Sequence, residues 1–335
     1  MTGLPLALEE ITLVAFTTLA PSGAVALALQ CAFIAAGRRA GADALRSRLI
    51  KLLWVPIVVT MVGLVASATH LGNPSNALYV LTGIGRSPLS TEVGAAVALL
   101  AAAGLFWLYG FSEHPRGGLQ QVWAGVIAVL AAAFVTTVAL AYGARTIPSW
   151  NTPLVPAALW LQALTGGPVL AAAVMRAAQP TQPDDPKADW ASTPSQTPAK
   201  ARETQSAAKT QTVPAATPVI PRLEAGMLAL VSAAMLAGFA VGIARGLELP
   251  EIRSSLATAA ELVPHYWLML GISTALQAAG IALAWRAWRI PERRPEPVPS
   301  PLRRARPLVT ASCLILLGIF VARFTFYMTH LTSGL

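Results

Sequence analysis

Apolar and polar residues alternate along this chain in long blocks, without the short period of a surface helix or a half-buried strand. Eight predominantly apolar segments, 11–36, 52–71, 89–111, 119–143, 153–175, 223–244, 266–288 and 308–331, are each about as long as a helix must be to cross the hydrocarbon of a bilayer. The pattern therefore predicts an all-α integral membrane protein, a bundle of eight transmembrane helices. The segments are rich in Ala, Gly, Leu and Val. Lipid removes the hydrophobic drive between helices, so small residues matter because they let backbones approach. Runs such as 94–104, bounded by Gly94 and Gly104, and Ala131-Ala132-Ala133 are the expected contact seams. The first segment follows Glu9-Glu10, lacks a basic leader and is too long for a signal-peptide core, so it is expected to be a mature helix.

The polar blocks divide the chain. Residues 179–221 are rich in Pro, Thr, Ser, Ala, Gln and charge, too poor in large apolar side chains to offset the entropy of ordering them. A flexible cytoplasmic linker is expected there, between helices one to five (1–178) and helices six to eight (222–335). Lys and Arg gather in the first loop (Arg38, Arg39, Arg46, Arg48, Lys51), the fifth (Arg176, Lys187, Lys200, Arg202, Lys209, Arg222) and the seventh (Arg289, Arg293, Arg294, Arg303, Arg304, Arg306). Basic short loops favour the cytoplasm, so both termini are expected on the outer side of a bacterial inner membrane. The even loops hold few cations, Arg86, Arg145, Arg245 and Arg253.

Composition agrees: 55% of residues are apolar and 12% charged, against roughly 25% charge in a soluble domain. The net charge of +9 would suit nucleic acid, but membrane topology already explains where the cations lie, and no nucleic-acid partner is expected.

Few residues can carry chemistry. Cys31 and Cys313 are each alone inside a span, so this polypeptide by itself cannot hold an iron–sulfur cluster, and both read as small packing residues. Of four histidines, His70, His265 and His330 sit at span ends on one side, and His114 lies in the short third loop. A matched pair among the first three would be needed on facing helices to hold a b-type haem; capping or headgroup contact is the alternative and the weightier reading. In His70-Leu71-Gly72-Asn73-Pro74, Gly72 and Pro74 read as a helix stop, which leaves His70 unexplained. An imidazole at the mouth of a bundle can take a proton from a quinol hydroxyl, because it changes charge near neutral pH. Glu92 lies just inside the third span, with Ser90 as a cap two positions earlier; it is either a first-turn acid favoured by the helix dipole or an acid facing a cavity or partner. Arg323, Tyr327 and His330 follow at helical spacing, one face that cannot point at lipid.

Taken in order, these residues resemble the membrane anchor subunit of anaerobic dimethyl sulfoxide reductases, the DmsC family. The likeness runs through His70-Leu71-Gly72-Asn73-Pro74, Leu89-Ser90-Thr91-Glu92, Ile147-Pro148-Ser149-Trp150, Gly166-Gly167-Pro168, Ala244-Arg245-Gly246-Leu247-Glu248-Leu249, Leu262-Val263-Pro264 and Arg323-Phe324-Thr325-Phe326-Tyr327 with His330. It implies a subunit that oxidises menaquinol or ubiquinol in anaerobic respiration and passes electrons to a ferredoxin-like iron–sulfur subunit, which feeds a molybdopterin catalytic subunit. It also implies that iron–sulfur clusters and molybdopterin belong to those partners and that this protein binds quinol without haem. His70 and Glu92 match the family's helix-two histidine and helix-three glutamate, as proton acceptors; Gly72, Ser90, Arg323, Tyr327 and His330 are expected to line the same quinol-binding site. The long fifth loop and His265, where an acid is familiar, depart from the family's pattern. A polytopic transporter and a purely structural anchor are the competing readings.

Overall fold

The structure, a computed structural model, describes residues 3–36, 43–69, 80, 82–143, 147–179, 219–253, 258–289 and 301–331. His70 and Gly72, and most of the 179–221 segment, lie outside these residues. The described residues form helices and connecting turns, with one isolated bridge between Arg253 and Thr258.

A short helix, α1 (Leu4–Glu9), leads into α2 (Ile11–Ala36), followed by α3 (Asp43–Lys51) and α4 (Trp54–Thr69), α5 (Pro88–Tyr109), α6 (Gly117–Ala141) and α7 (Leu154–Ala178). Beyond residue 218 come α8 (Val219–Glu248), the single turn α9 (Ala259–Leu262), α10 (Tyr266–Arg289) and α11 (Pro301–Met328). Eight helices are long and apolar enough to cross a membrane, α3 and α4 joining as one span, Leu45–Thr69. This matches the eight segments expected from the sequence. Their edges differ: the sixth and eighth spans start at Arg222 and Arg303, because basic residues at a helix end remain helical while their heads reach the interface.

The bundle is centred on two helices. The most apolar stretches of α2 and α7 are 61% and 78% buried, against 22–44% for the other six, so these two are the core and the rest surround them. Helix α2 packs on α4, α6, α7 and α11, while α7 also meets α8 and α11. The outer helices turn large apolar side chains away from the protein, as Val122, Val126 and Val129 do on one face of α6. In a membrane that face is solvated by acyl chains.

The 94–104 run contributes close packing through Gly94, where a Cβ would lie 2.9 Å from Ile84, and through buried Ala96 and Ala103, but the backbone-to-backbone contacts are made by other glycines. A Cβ on Gly63 would lie 2.7 Å from the Ala20 backbone nitrogen, and one on Gly318 would lie 2.7 Å from the Ser273 carbonyl oxygen, so α2–α4 and α10–α11 meet backbone to backbone. Gly104 faces open space and Ala132 and Ala133 are exposed, leaving Ala131 alone of that run in the core. Small residues permit close contact, but only the helix rotation decides which of them face a neighbour.

Of the basic residues read as loop cations, Arg46, Arg48, Lys51, Arg222, Arg289, Arg303, Arg304 and Arg306 are in helices, as are two more that are held inside the bundle. Arg176 is in the last turn of α7, where its guanidinium donates to both Glu224 oxygens of α8, at 2.7 and 3.4 Å, and to the Ala287 carbonyl of α10 at 3.2 Å. Arg245 is in the last turn of α8 and is buried. Neither adds to the charge of a loop.

Candidate functional site

The ends of α5, α6, α7, α8 and α11 that carry the chemistry-bearing residues meet at one side of the bundle. Helix α5 begins there after a tight turn in which Gly85 takes φ 81°, a left-handed value that glycine adopts without a Cβ penalty. Thr91 locks that turn: its hydroxyl donates to the Ser87 carbonyl at 2.9 Å and accepts from the Gly85 amide at 3.0 Å. Ser87 occupies the N-cap and Pro88 the first helical position, where a missing N–H has no consequence. Ser90 is therefore not the cap; it is a buried residue of the first turn, its side chain lying where a Cβ on Gly83 would be. Glu92 falls in the second turn, beyond the first-turn positions that the helix dipole favours, and is 4% exposed. Its burial needs another explanation than capping.

That explanation lies across the bundle. Tyr142, directly after α6, is within electrostatic reach of Glu92, Tyr327 and Arg323. The Tyr327 hydroxyl donates to the Tyr142 hydroxyl oxygen at 2.6 Å, tying α6 to the last turn of α11. Although Tyr142 is half-buried as a whole, its phenol lies inside; burial lifts it well above its ordinary pKa, Tyr327 and Glu92 add to the rise, and Arg323 opposes it. The hydrogen-bonded pair ties α6 to α11 within electrostatic reach of both Glu92 and Arg323.

The 147–150 motif clamps the same end. Ser149 donates to the Thr329 carbonyl at 2.6 Å and accepts from the Leu331 amide at 3.3 Å, closing the C-terminus of α11. Trp150 stacks on Phe326 and on His330, each with ring centroids 4.8 Å apart. His330, just beyond α11, is held against this aromatic face; burial lowers its pKa and Glu10 opposes the shift. His265 is exposed at the start of α10, and His114 is exposed in its loop. Among the described residues, no three His, Cys, Asp or Glu side chains gather as metal ligands.

The described residues expected in one site lie near one end of the bundle, with the Arg323 guanidinium 5.7 Å from the Tyr142 ring centroid and Tyr142 within electrostatic reach of Glu92. Glu92 and Ser90 belong to the α5–α6 side, and Tyr327 joins that side through Tyr142. Arg323 also lines a cavity between α7, α8, α10 and α11 whose lining includes neither Glu92, Ser90, Tyr327 nor His330. Arg323 and Tyr327, four residues apart, share a face of α11, and both meet Tyr142. Sequence reasoning assigned no role to Tyr142, Trp150 or Arg245. Trp150 and Arg245 lay within the strings that carry the family resemblance, whereas an aromatic at a span end such as Tyr142 is indistinguishable from an interfacial anchor.

Comparison with known proteins agrees with this architecture. The DMSO reductase anchor subunit (DmsC) family model matches residues 4–189. The protein belongs to that family. Over 88% of its length it is 30% identical to YnfH, a subunit of an anaerobic dimethyl sulfoxide reductase of Escherichia coli (strain K12), covering 86% of that protein. It is 28% identical to the C subunit of the same organism's anaerobic dimethyl sulfoxide reductase, over 87% of this protein and 85% of that one. With the C subunit of the Haemophilus influenzae anaerobic dimethyl sulfoxide reductase it shares 26% identity across 98% and 97% of the two. The family model covers the first five spans, so Arg323, Tyr327 and His330 fall outside it.

Proposed function

We propose that the protein is the quinol-oxidising membrane anchor of a molybdopterin oxidoreductase complex in the bacterial inner membrane. Supporting the reading is Glu92, a carboxyl group buried at the end of a span and connected electrostatically to the Tyr142–Tyr327 bridge, in a member of the anchor family. Acids inside spans face partners or reactants because lipid solvates them poorly. A quinol releases two protons and two electrons as it becomes a quinone. His70 accepts the first proton, and Glu92 orients it or takes the second, each acting as a general base within reach of the quinol hydroxyl. The Tyr142–Tyr327 bond ties α6 to α11 within electrostatic reach of Glu92 and Arg323.

The electrons leave to a ferredoxin-like iron–sulfur subunit and from it to the molybdopterin subunit. With the cations of the first, fifth and seventh loops in the cytoplasm, both termini and the Glu92 side face outward, and the partner subunits dock there.

The test separates proton chemistry from assembly. His70→Arg and Glu92→Gln complexes are assayed with quinol and with an artificial reductant that feeds the partner subunits directly. Arg keeps a cation but cannot act as a base near neutral pH, and Gln keeps the shape of Glu without its charge. Quinol-linked turnover should vanish in the first and fall in the second, with the artificial reductant still effective. Full quinol activity in both variants would overturn the roles.

A further inference from the structure

The cavity lined by Arg323 carries a second problem of charge. Arg323 is 1% exposed and its Nε and Nη2 have no hydrogen-bond partner. Arg245, 8% exposed, lines the same cavity and reaches the Ser149 carbonyl only at 3.5 Å. Both guanidiniums approach the Phe326 ring, Arg323 at 4.8 Å and Arg245 at 5.0 Å from its centroid, so the two cations are near neighbours. Among the described residues no carboxylate belongs to the lining; Glu248 acts on Arg245 from outside it. Two like charges drawn from water cost several kcal/mol each unless an opposite charge meets them.

The rest of the lining says what kind of counter-charge fits. The cavity encloses about 70 Å³ of water-accessible space. Deeper in it, Gln162 has an unpaired Oε1, while Gln277 is bonded to Ser273 and Ser273 to the Gly318 carbonyl. Tyr266 donates to the Gly242 carbonyl at 2.7 Å. Gln277, Ser273 and Tyr266 are thus already engaged as donors, whereas Nε and Nη2 of Arg323 are not. Leu161, Phe239 and Leu270 form an apolar part of the wall, and Phe239 is exposed on the outer surface of α8. A neutral quinone oxygen would leave both positive charges uncompensated, whereas a phosphate oxyanion offers them charge and fork-matched oxygens.

We propose that this cavity binds a phosphate oxyanion between Arg245 and Arg323. Its source is the headgroup of an anionic phospholipid, whose acyl chains run out along Leu161, Phe239 and Leu270. The cavity's lining does not include Glu92 or Ser90, and the proposal stands whether or not the protein oxidises quinol.

The full-length protein, purified in a neutral detergent, is examined by native mass spectrometry for retained phosphatidylglycerol. Its melting is followed with added short-chain phosphatidylglycerol, inorganic phosphate or a diacylglycerol without phosphate. One retained phosphatidylglycerol and a rise in Tm are expected, with affinity falling about tenfold in Arg245→Gln and in Arg323→Gln, as each removes a charge-assisted contact. Arg289→Gln, at the opposite end of α10, should leave binding unchanged. Should Arg323→Gln not fold, Gly238→Val reads the same site, since it narrows the cavity beside Leu161 without removing a charge. An equal rise with inorganic phosphate and no retained lipid supports the oxyanion site with free phosphate as its source. Binding that is equal for diacylglycerol, or unchanged in Arg245→Gln and Gly238→Val, overturns the proposal.

Discussion

Removing the hydroxyl of Tyr327 should weaken the fold and the Glu92 side together. The Tyr327–Tyr142 bond, at 2.6 Å, is short for a pair of hydroxyls and joins α11 to the end of α6. Hydrogen bonds between membrane helices measure about 0.6 kcal/mol on average and up to about 1.7. This one is short and its acceptor phenol is buried, so its coupling should lie in the upper part of that range, about 1 kcal/mol. Each single substitution, Tyr327→Phe or Tyr142→Phe, also leaves its partner's hydroxyl without this bond inside the protein. Each should therefore destabilise by about 1–2 kcal/mol. The double variant should fall short of the sum by about 1 kcal/mol, because the second substitution removes a group that the first had already stranded. Unfolding in mixed micelles with increasing sodium dodecyl sulfate measures all four proteins. Additivity within about 0.3 kcal/mol would show that the two hydroxyls are not coupled, and the bridge would then no longer account for how α6 and α11 meet beside Glu92.

Arg176→Met should cost about 3–5 kcal/mol because it strands the buried Glu224 carboxylate, while Arg176→Met with Glu224→Leu should recover most of that; the same unfolding titration decides it. Gly318→Val should destabilise by more than about 1–3 kcal/mol, since its side chain meets the Ser273 carbonyl, and Gly104→Val, facing open space, should be nearly neutral. For His330, burial depresses the imidazole, so the folded protein binds fewer protons than the unfolded one below the ordinary value of about 6.5. Stability should fall as pH drops through that window and level off below the depressed value; His330→Phe should flatten the fall in melting curves taken across it. A reporter fused after Leu335 should be active only outside the cytoplasm, and activity inside would reverse the proposed orientation.

How far the sequence carried depends on which physical rule set each feature. Spans follow from apolar length, which the bilayer imposes, so all eight were legible, although the second starts seven residues before the expected 52, at Leu45, where a basic amphipathic turn precedes the apolar run. Rotation of each helix was not: Gly104 and Gly63 look equivalent in the sequence, and only packing shows that one faces open space and the other Ala20. Ser90 and Glu92 were placed one turn too early because Ser90 is a good cap by composition, yet Pro88 starts the helix after Ser87. Arg245 looked like a loop cation since span edges blur where basic residues remain helical. The Tyr142–Tyr327 bridge pairs residues 185 apart, a separation at which no local pattern speaks.

The Arg176–Glu224 pair bears on how this protein tolerates change. It fastens the last turn of α7 to the second turn of α8, about 37 Å of helix away from the 147–150 clamp. Residues 180–218 therefore join two points that the bundle already holds side by side. Closing a loop costs only about 0.6 kcal/mol more for each doubling of its length. Polypeptide added or trimmed there should change the fold by little and act at the end remote from Glu92 and Tyr327. The connection should therefore serve as a grafting point, carrying a foreign domain with neighbouring termini without redesign of the spans.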